Sequence, residues 1–295
     1  MRTSIGQKWF AVLNYALLCA LSFSIVFPFW RIVMLSFNDG IDSLRGGIYF
    51  WPRIATWNNY LVIFARTEIL DAYKVTIVRT VIGTILSLFF TAIMAYGLSK
   101  RHLRGRQTIN VMILFTMFFS GGLIPSYLLL KDLHLLNTVW VYIFPSLYQA
   151  WNIILFRTFF QQLPPSLEES AKLDGANDLT VFFRIVVPLS MPIFATIALF
   201  ISVGHWNDWF SGTVYVQDPK LVPLQTLLMK IIRENDSSQM IAGSLSTVSQ
   251  SNVKTVTSYS VKMATLVVTI LPIVCLYPFL QRYFVKGVLV GSVKG

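Results

Sequence analysis

Six stretches of this chain, residues 9–30, 80–99, 107–130, 135–156, 185–204 and 263–281, carry no Asp, Glu, Lys or Arg. Apolar runs of about 20 residues match the hydrocarbon thickness of a bilayer. Lipid offers a backbone no hydrogen-bonding partner, so only helices and closed barrels cross it, and runs this long and continuous fit helices rather than barrel strands. The expected fold is therefore all-α: a polytopic membrane protein with six transmembrane helices. A mean hydropathy of +0.63 with 13% charged residues excludes an ordinary soluble globule. The first run exceeds the apolar core of a secretion signal and reads as an uncleaved first helix.

The formal charge of +11 raises the question of nucleic acid, and its distribution answers it. If the N-terminus lies inside, the inner segments hold Arg2, Lys8, the turn "KRHLRGR" at 100–106, Arg157, Lys172, Arg184, Arg282, Lys286 and Lys294, against four acids, Glu168, Glu169, Asp174 and Asp178. The outer segments are close to neutral, and Arg31 and Arg79 sit at the edges of runs. This is positive-inside patterning, so both termini are expected in the cytoplasm. The cations flank apolar runs and form no basic stripe on a folded scaffold, so no nucleic-acid partner is expected. Cys19 and Cys275 fall within runs and form no disulfide framework or metal spacing. His102, His134 and His205 are too scattered for a catalytic constellation, which argues against an enzyme. A secondary transporter usually places ionisable groups at membrane depth, and the six runs have none, which argues against proton coupling; sodium can be held by carbonyls, so an ion-coupled secondary transporter of small solutes stays the alternative.

Polar residues and helix breakers inside the runs mark candidate pathway positions. Gly121, Gly122 and Pro125 in "FFSGGLIPSYLLL" predict a kinked or interrupted span, which either lines a pathway or is purely structural. In "YQAWN", Gln149 and Asn152 share a predicted helical face with Trp151 nearby; the amides serve either sugar hydroxyls or hydrogen bonds between helices. At the outer end of the fifth run, Trp206 fits an interfacial aromatic belt or a sugar platform. Asn207 and Asp208 fit a local helix cap or a contact with an external protein. The outer stretch 231–260 is rich in Ser, Thr and Asn and is expected to be a long loop, either plainly solvated or a flexible segment that inserts into a partner.

Between the fourth and fifth runs lies a short polar segment, 166–176. Ser166 and Glu169, with the S-x-x-E spacing of a capping box after Pro164 and Pro165, predict a helix start. Gly175 supplies a left-handed stop. The intervening helix is about two turns long, too short to persist alone. Ser170, Ala171, Gly175 and Ala176 are small enough to let another surface approach the backbone, and Glu169 and Asp174 add charge at the edge. The segment is either an amphipathic connector or a docking lever, and its acids disfavour simple adhesion to anionic lipid. The chain then runs through "LTVFFRIVVP" directly into the fifth run, with no slack linker.

The order Glu169-Ser170-Ala171, Asp174-Gly175-Ala176, Phe183, Ile185, Pro188 and Leu189 resembles the EAA motif of permease subunits in ATP-binding-cassette importers, with Ser170 in place of an alanine. "HWNDWF" at 205–210 is similar to a segment of carbohydrate-uptake permeases, and the tail "VGSVKG" resembles the C-terminus of the MalG-like subunit of maltose-type importers. "FFSGGLIPSYLLLKDLHLLNTVWVYIFP" looks like the subgroup that imports polysaccharide fragments. This resemblance implies a type I importer permease fold in a bacterial inner membrane, with residues 1–74 as first helix and outer loop and 75–295 as permease core. It implies a coupling helix at 166–176 whose Glu169, Ser170, Ala171, Asp174, Gly175 and Ala176 meet an ATPase. It further implies a tail, Gly291, Ser292, Val293, Lys294 and Gly295, that reaches the ATPase interface. The partners implied are a second permease subunit, two cytoplasmic ATPases and an extracytoplasmic binding protein; the cargo implied is an oligosaccharide. The chain has no phosphate-cradling G-x-x-x-x-G-K-[ST] loop, so ATP and magnesium belong to the partner and no cofactor is expected here.

Overall fold

The computed structural model describes residues 5–242 and 256–292. In chain order its helices are α1 (Ile5–Ser36), α2 (Gly40–Leu44), α3 (Asn58–Phe64), α4 (Thr67–Ser99), α5 (Arg106–Phe118), α6 (Leu123–Asp132), α7 (Ala150–Phe160), α8 (Pro165–Leu173), α9 (Asp178–Val181), α10 (Val187–Leu189), α11 (Met191–Asn207), α12 (Phe210–Tyr215), α13 (Leu224–Ala242) and α14 (Ser258–Ser292). Among the described residues there is no strand, only an isolated bridge between Asn38 and Ala55.

Three helices are each long and apolar enough to cross a membrane: Gly6–Ser36, Thr67–Ser99 and Ser258–Cys275, the last being the first part of α14. Three more spans are bent pairs: α5 with α6 at 114°, the 3-10 turns of 139–146 with α7 at 49°, and 178–189 with α11 at 83°. Counting each pair once gives the expected six. The fifth run was expected to be one continuous helix over 185–204, and here the structure differs. Pro188 and Pro192 remove two backbone donors, the backbone widens into a π turn over Phe182–Val186, and the chain folds sharply at Ser190. The expected break at Gly121 and Gly122 is present: residues 119–122 leave the helix, and Gly122 takes φ +86°. The stretch 231–260 also departs from expectation, since α13 runs on to Ala242; residues 243–255 lie outside the described set.

The chain divides into two compact units, residues 1–69 with 228–271, and residues 70–227 with 272–295. In the first unit, the segment between α1 and α4 is folded rather than slack. Asn38, fully buried, donates to the Asp42 carboxylate at 3.1 Å and to Ser43 Oγ at 3.0 Å, and accepts from Ile54 N at 2.9 Å. Asn59, also fully buried, donates to the Ser36 and Asn38 carbonyls at 2.9 Å each. These amides do for an irregular backbone what a sheet ladder would otherwise do. The Asn38 amide, followed by Arg53 at 2.8 Å, holds the Asp42 carboxyl below the usual carboxylate range.

In the second unit α4 is the central post. Thr76, Arg79, Gly83, Ser87 and Thr91 recur every three or four residues and are buried on one face. Thr76 Oγ1 accepts from Leu224 N at 2.8 Å. Ser87 and Thr91 donate to the carbonyls of Ser146 and Leu147, at 3.3 and 3.2 Å, where the fourth span leaves helical geometry. Membrane depth tolerates such breaks only when protein or water satisfies the freed groups. Gly83 is the close-approach point: a Cβ there would lie 2.5 Å from Nε2 of His205. Nearer α8, Ala92 and Ala95 let α4 pack against Phe156, Phe160, Phe182, Val186 and Ile197 in a shared core. Small residues at helix contacts give the van der Waals packing that holds helices together in lipid.

Two outcomes test these packings. Asn38→Ala strands the Ile54 amide, at a cost of about 1–3 kcal/mol, leaves Asp42 with Arg53 alone, and exposes residues 37–66 to limited proteolysis in detergent. The Asp42 contribution is complete above the unfolded carboxyl value of about 3.9 and fades as pH falls below it, so this protease protection weakens on acidification in the wild type and much less in Asp42→Asn. Gly83→Ala drives its methyl into the His205 ring and costs about 1–3 kcal/mol. In a His205→Ala background the thermal-melting penalty shrinks, and an equal penalty in both backgrounds would place the strain elsewhere.

Candidate functional site

Helix α8 begins at Pro165, with Pro164 as its N-cap, and no side chain caps it. The expected capping box of Ser166 and Glu169 does not form. Proline at the first helical position needs no cap partner for a donor it lacks, and its fixed φ starts the helix one residue earlier. The C-terminus is as expected. Gly175 has φ +83°, its N–H donates to the Lys172 carbonyl at 3.0 Å, and Ala176 N donates to the Ala171 carbonyl at 2.9 Å. That pair of bonds is a Schellman motif, and the apolar contact that accompanies such motifs is present as Ala171 and Ala176 packing on the core beneath. Asn177 caps α9 by accepting from Thr180 N at 2.8 Å.

Almost everything else on α8 faces outward. Glu169, Ser170, Lys172, Leu173, Asp174 and Gly175 are exposed, Leu173 at 89%. A Cβ placed on Gly175 would meet nothing within 4 Å. The exposed side of the stub thus offers a leucine, a bare glycine backbone and a border of charge. The shielded Lys100–Glu168 pair ties its inner side down, and an exposed pair, Lys172 with Asp178 at 2.7 Å, links α8 to the start of α9. Asp178 holds the Lys172 ammonium above the usual lysine range. From Asp178 to Asn207 the chain is helical except at Ser190, whose N–H still donates to the Val186 and Val187 carbonyls at 3.0 and 3.1 Å. The connection from stub to span is therefore a four-residue turn, 174–177, held by the Schellman motif, followed by an elbow at Ser190.

The other sequence-derived candidates are distributed differently. Asn152 is buried and donates to Gln149 Oε1 at 3.3 Å, while Gln149 and Trp151 are exposed, with Gln149 just before α7 rather than on its face. Gly121 and Gly122 are exposed at the break. Trp206 is buried; Asn207 is exposed and accepts from Gln225 at 3.2 Å. Asp208 Oδ1 accepts from Phe210 N and Ser211 N at 3.0 and 3.1 Å, opening α12. Of the tail, Gly291 and Ser292 end α14, and Val293, Lys294 and Gly295 lie outside the described residues.

Arg79 was read as lying at the edge of a run. It sits instead well inside α4, fully buried, donating to the Asp208 carbonyl at 2.6 Å, pairing with its carboxylate at 3.5 Å and lying 5.0 Å over the Tyr142 ring. An ionisable group is thus present within a spanning helix, and it is held in a pair. The three-to-four-residue recurrence of polar and small residues through 76–91 was the signal that Arg79 belongs to the helix interior.

The chain matches the family described as "Binding-protein-dependent transport system inner membrane component" over residues 77–290. It is 40% identical to the polygalacturonan/rhamnogalacturonan transport system permease protein YtcP of Bacillus subtilis (strain 168), over 98% of this chain and 99% of that one. It is 40% identical to protein LplC of the same organism, over 100% and 98%. Among solved structures, a chain of a bacterial ABC transporter involved in the import of the acidic polysaccharide alginate superposes with a TM-score of 0.86 at 30% identity, covering 96% of this chain and 99% of that one. With the six-span architecture and the exposed stub between the fourth and fifth spans, these matches make the chain a member of the family of inner membrane components of binding-protein-dependent transport systems.

Proposed function

We propose that this chain is one of two permease subunits of an ATP-driven importer, and that α8 is the lever through which a separate ATPase moves the spans. The observation that carries this reading is α8 itself. A nine-residue helix with an outward apolar and glycine face is too short to be stable unaided, and a four-residue turn joins it to the elbow that leads into a spanning helix. A second permease subunit, two ATPases and an extracytoplasmic binding protein complete the proposed assembly, with ATP and magnesium held by the ATPases. Basic residues around the 100–106 turn support a cytoplasmic placement of that turn, of α8 and of both termini. Closure of the ATPases would push α8, and the elbow at Ser190 would carry that push into α11.

For cargo we propose oligosaccharides, with uronate-rich fragments as the first class to test. The relative named for polygalacturonan/rhamnogalacturonan transport, and the structural neighbour named for alginate, support this choice. The exposed Gln149 and Trp151, and the exposed break at Gly121 and Gly122, are the proposed pathway surfaces. Asn207 and Asp208 are proposed for the side that receives the binding protein, and Gly291 to Gly295 for the ATPase interface.

Reconstituted with its ATPases and binding protein, the complex is expected to import labelled oligogalacturonides only with ATP on the ATPase side. Import driven by an ion gradient alone would overturn the reading. Cysteine placed at Glu169 is expected to label only from the cytoplasm. Gly175→Asp and Gly175→Asn are both expected to insert normally and to lose uptake by about tenfold or more. Asparagine adopts left-handed backbone far more readily than other side chains, so a loss in Gly175→Asn reports lost close approach rather than backbone strain. Wild-type uptake in that variant would show that nothing docks on the glycine.

A further inference from the structure

We infer that the Lys100–Glu168 ion pair is a second path by which displacement of α8 reaches the membrane spans, with Lys100 as a positioning residue of the transport cycle. The inference rests on the proposed role of α8 as an ATPase-driven lever. Lys100 directly follows the last residue of α4, and its partner sits on the first turn of α8, 68 positions further along the chain. Exposed ion pairs are worth little, because water screens them and two long side chains must be held still. This pair is different. The two side chains are 15% and 24% exposed, and the Lys100 ammonium also lies 3.9 Å from the centre of the Tyr96 ring. Shielding strengthens the Coulombic attraction, and the ring face adds a favourable cation–π contact.

Tyr96 extends the path. It is buried, tilted against Phe182 with ring centroids 5.0 Å apart, and edge-on to Phe160 at 6.3 Å. The ammonium and the Tyr96 ring beneath it therefore join four elements: α8 through Glu168, α4 through Tyr96 itself, and the end of α7 and the π turn that leads to the elbow through the ring. The other cations of the turn are arranged differently. Arg101 and Arg104 are exposed, and Arg106 donates to the Leu98 carbonyl at 3.0 Å, closing the end of α4. Beside the pair is a cleft of about 550 Å³ whose lining includes Arg101, His102, Glu169 and Lys172. On this account α8 cannot be displaced without either breaking the pair or carrying α4 with it. The covalent route moves α11, and the ionic route moves α4.

The test uses the complete transporter in proteoliposomes, with Lys100→Glu, Glu168→Lys, the exchange of both, and the milder Lys100→Met, Glu168→Gln and Lys100→Arg. The readouts are co-purification of the subunits, basal ATP hydrolysis, uptake, and ATP consumed per oligosaccharide imported. Each charge reversal is expected to assemble, to hydrolyse ATP within about twofold of wild type, and to import about tenfold more slowly, which is about 1.4 kcal/mol in the barrier. ATP consumed per oligosaccharide should rise accordingly. The exchange should restore the larger part of the uptake, the neutral variants should fall between, and Lys100→Arg should remain close to wild type. Unchanged uptake and stoichiometry in both reversals overturn the inference. So does failed assembly that the exchange does not repair together with neutral variants that retain normal stoichiometry, which would make the pair a brace for folding. A wild-type complex that imports without ATP removes the proposed function, and this inference with it.

Discussion

Every backbone amide and carbonyl that reaches the membrane interior must find its partner within the protein. The structure departs from simple helices in three of its six spans, so this demand shapes it throughout. α4 meets much of it. Its buried hydroxyls at Thr76, Ser87 and Thr91 take up an amide from the start of α13 and two carbonyls from the turn before α7. Arg79 does the same for the carbonyl of Asp208. A helix that looks like one more apolar span is thus what allows its neighbours to be irregular. In the other unit the same work falls to Asn38 and Asn59, which support the irregular backbone around the short helices α2 and α3.

α8 meets an opposite requirement. Its inner side is fixed by two small alanines on the core and the shielded Lys100–Glu168 pair, and its end by a Schellman motif, whereas its outer side carries only the exposed Lys172–Asp178 pair beside an open leucine and glycine. Within the chain these contacts hold a helix too short to persist by itself. The glycine that ends the helix serves both ends. Only a residue without a side chain turns the chain left-handed at so little cost, and only such a residue leaves the backbone bare for contact.

Much of this was legible in the amino-acid sequence. The six apolar runs marked the spans, Gly121 and Gly122 marked a break, and Gly175 marked the end of α8. What escaped was non-local. Ser166 and Glu169 have the spacing of a capping box, but a proline one residue earlier starts the helix first, and spacing alone cannot weigh two competing starts. Arg79 stands at the edge of an apolar run yet deep within a helix, because a charge can enter a span when a distant group, here Asp208, comes to meet it. Lys100 was legible only as part of a topology signal. Its contact with Glu168 depends on how α4 and α8 pack, which no local pattern records. The fold at Ser190 was hidden for a related reason: the prolines on either side announce a disturbance but carry no angle.

That angle has a mechanical consequence. Two rigid arms meeting at 83° form a bell crank. A thrust along the arm 178–189 arrives almost perpendicular to the axis of α11, so it has very little component that would slide α11 through the bilayer and nearly all of it acts to tilt that helix. With α8 as the proposed lever, a permease built this way would convert a small sideways shove into rotation without moving polar ends into hydrocarbon.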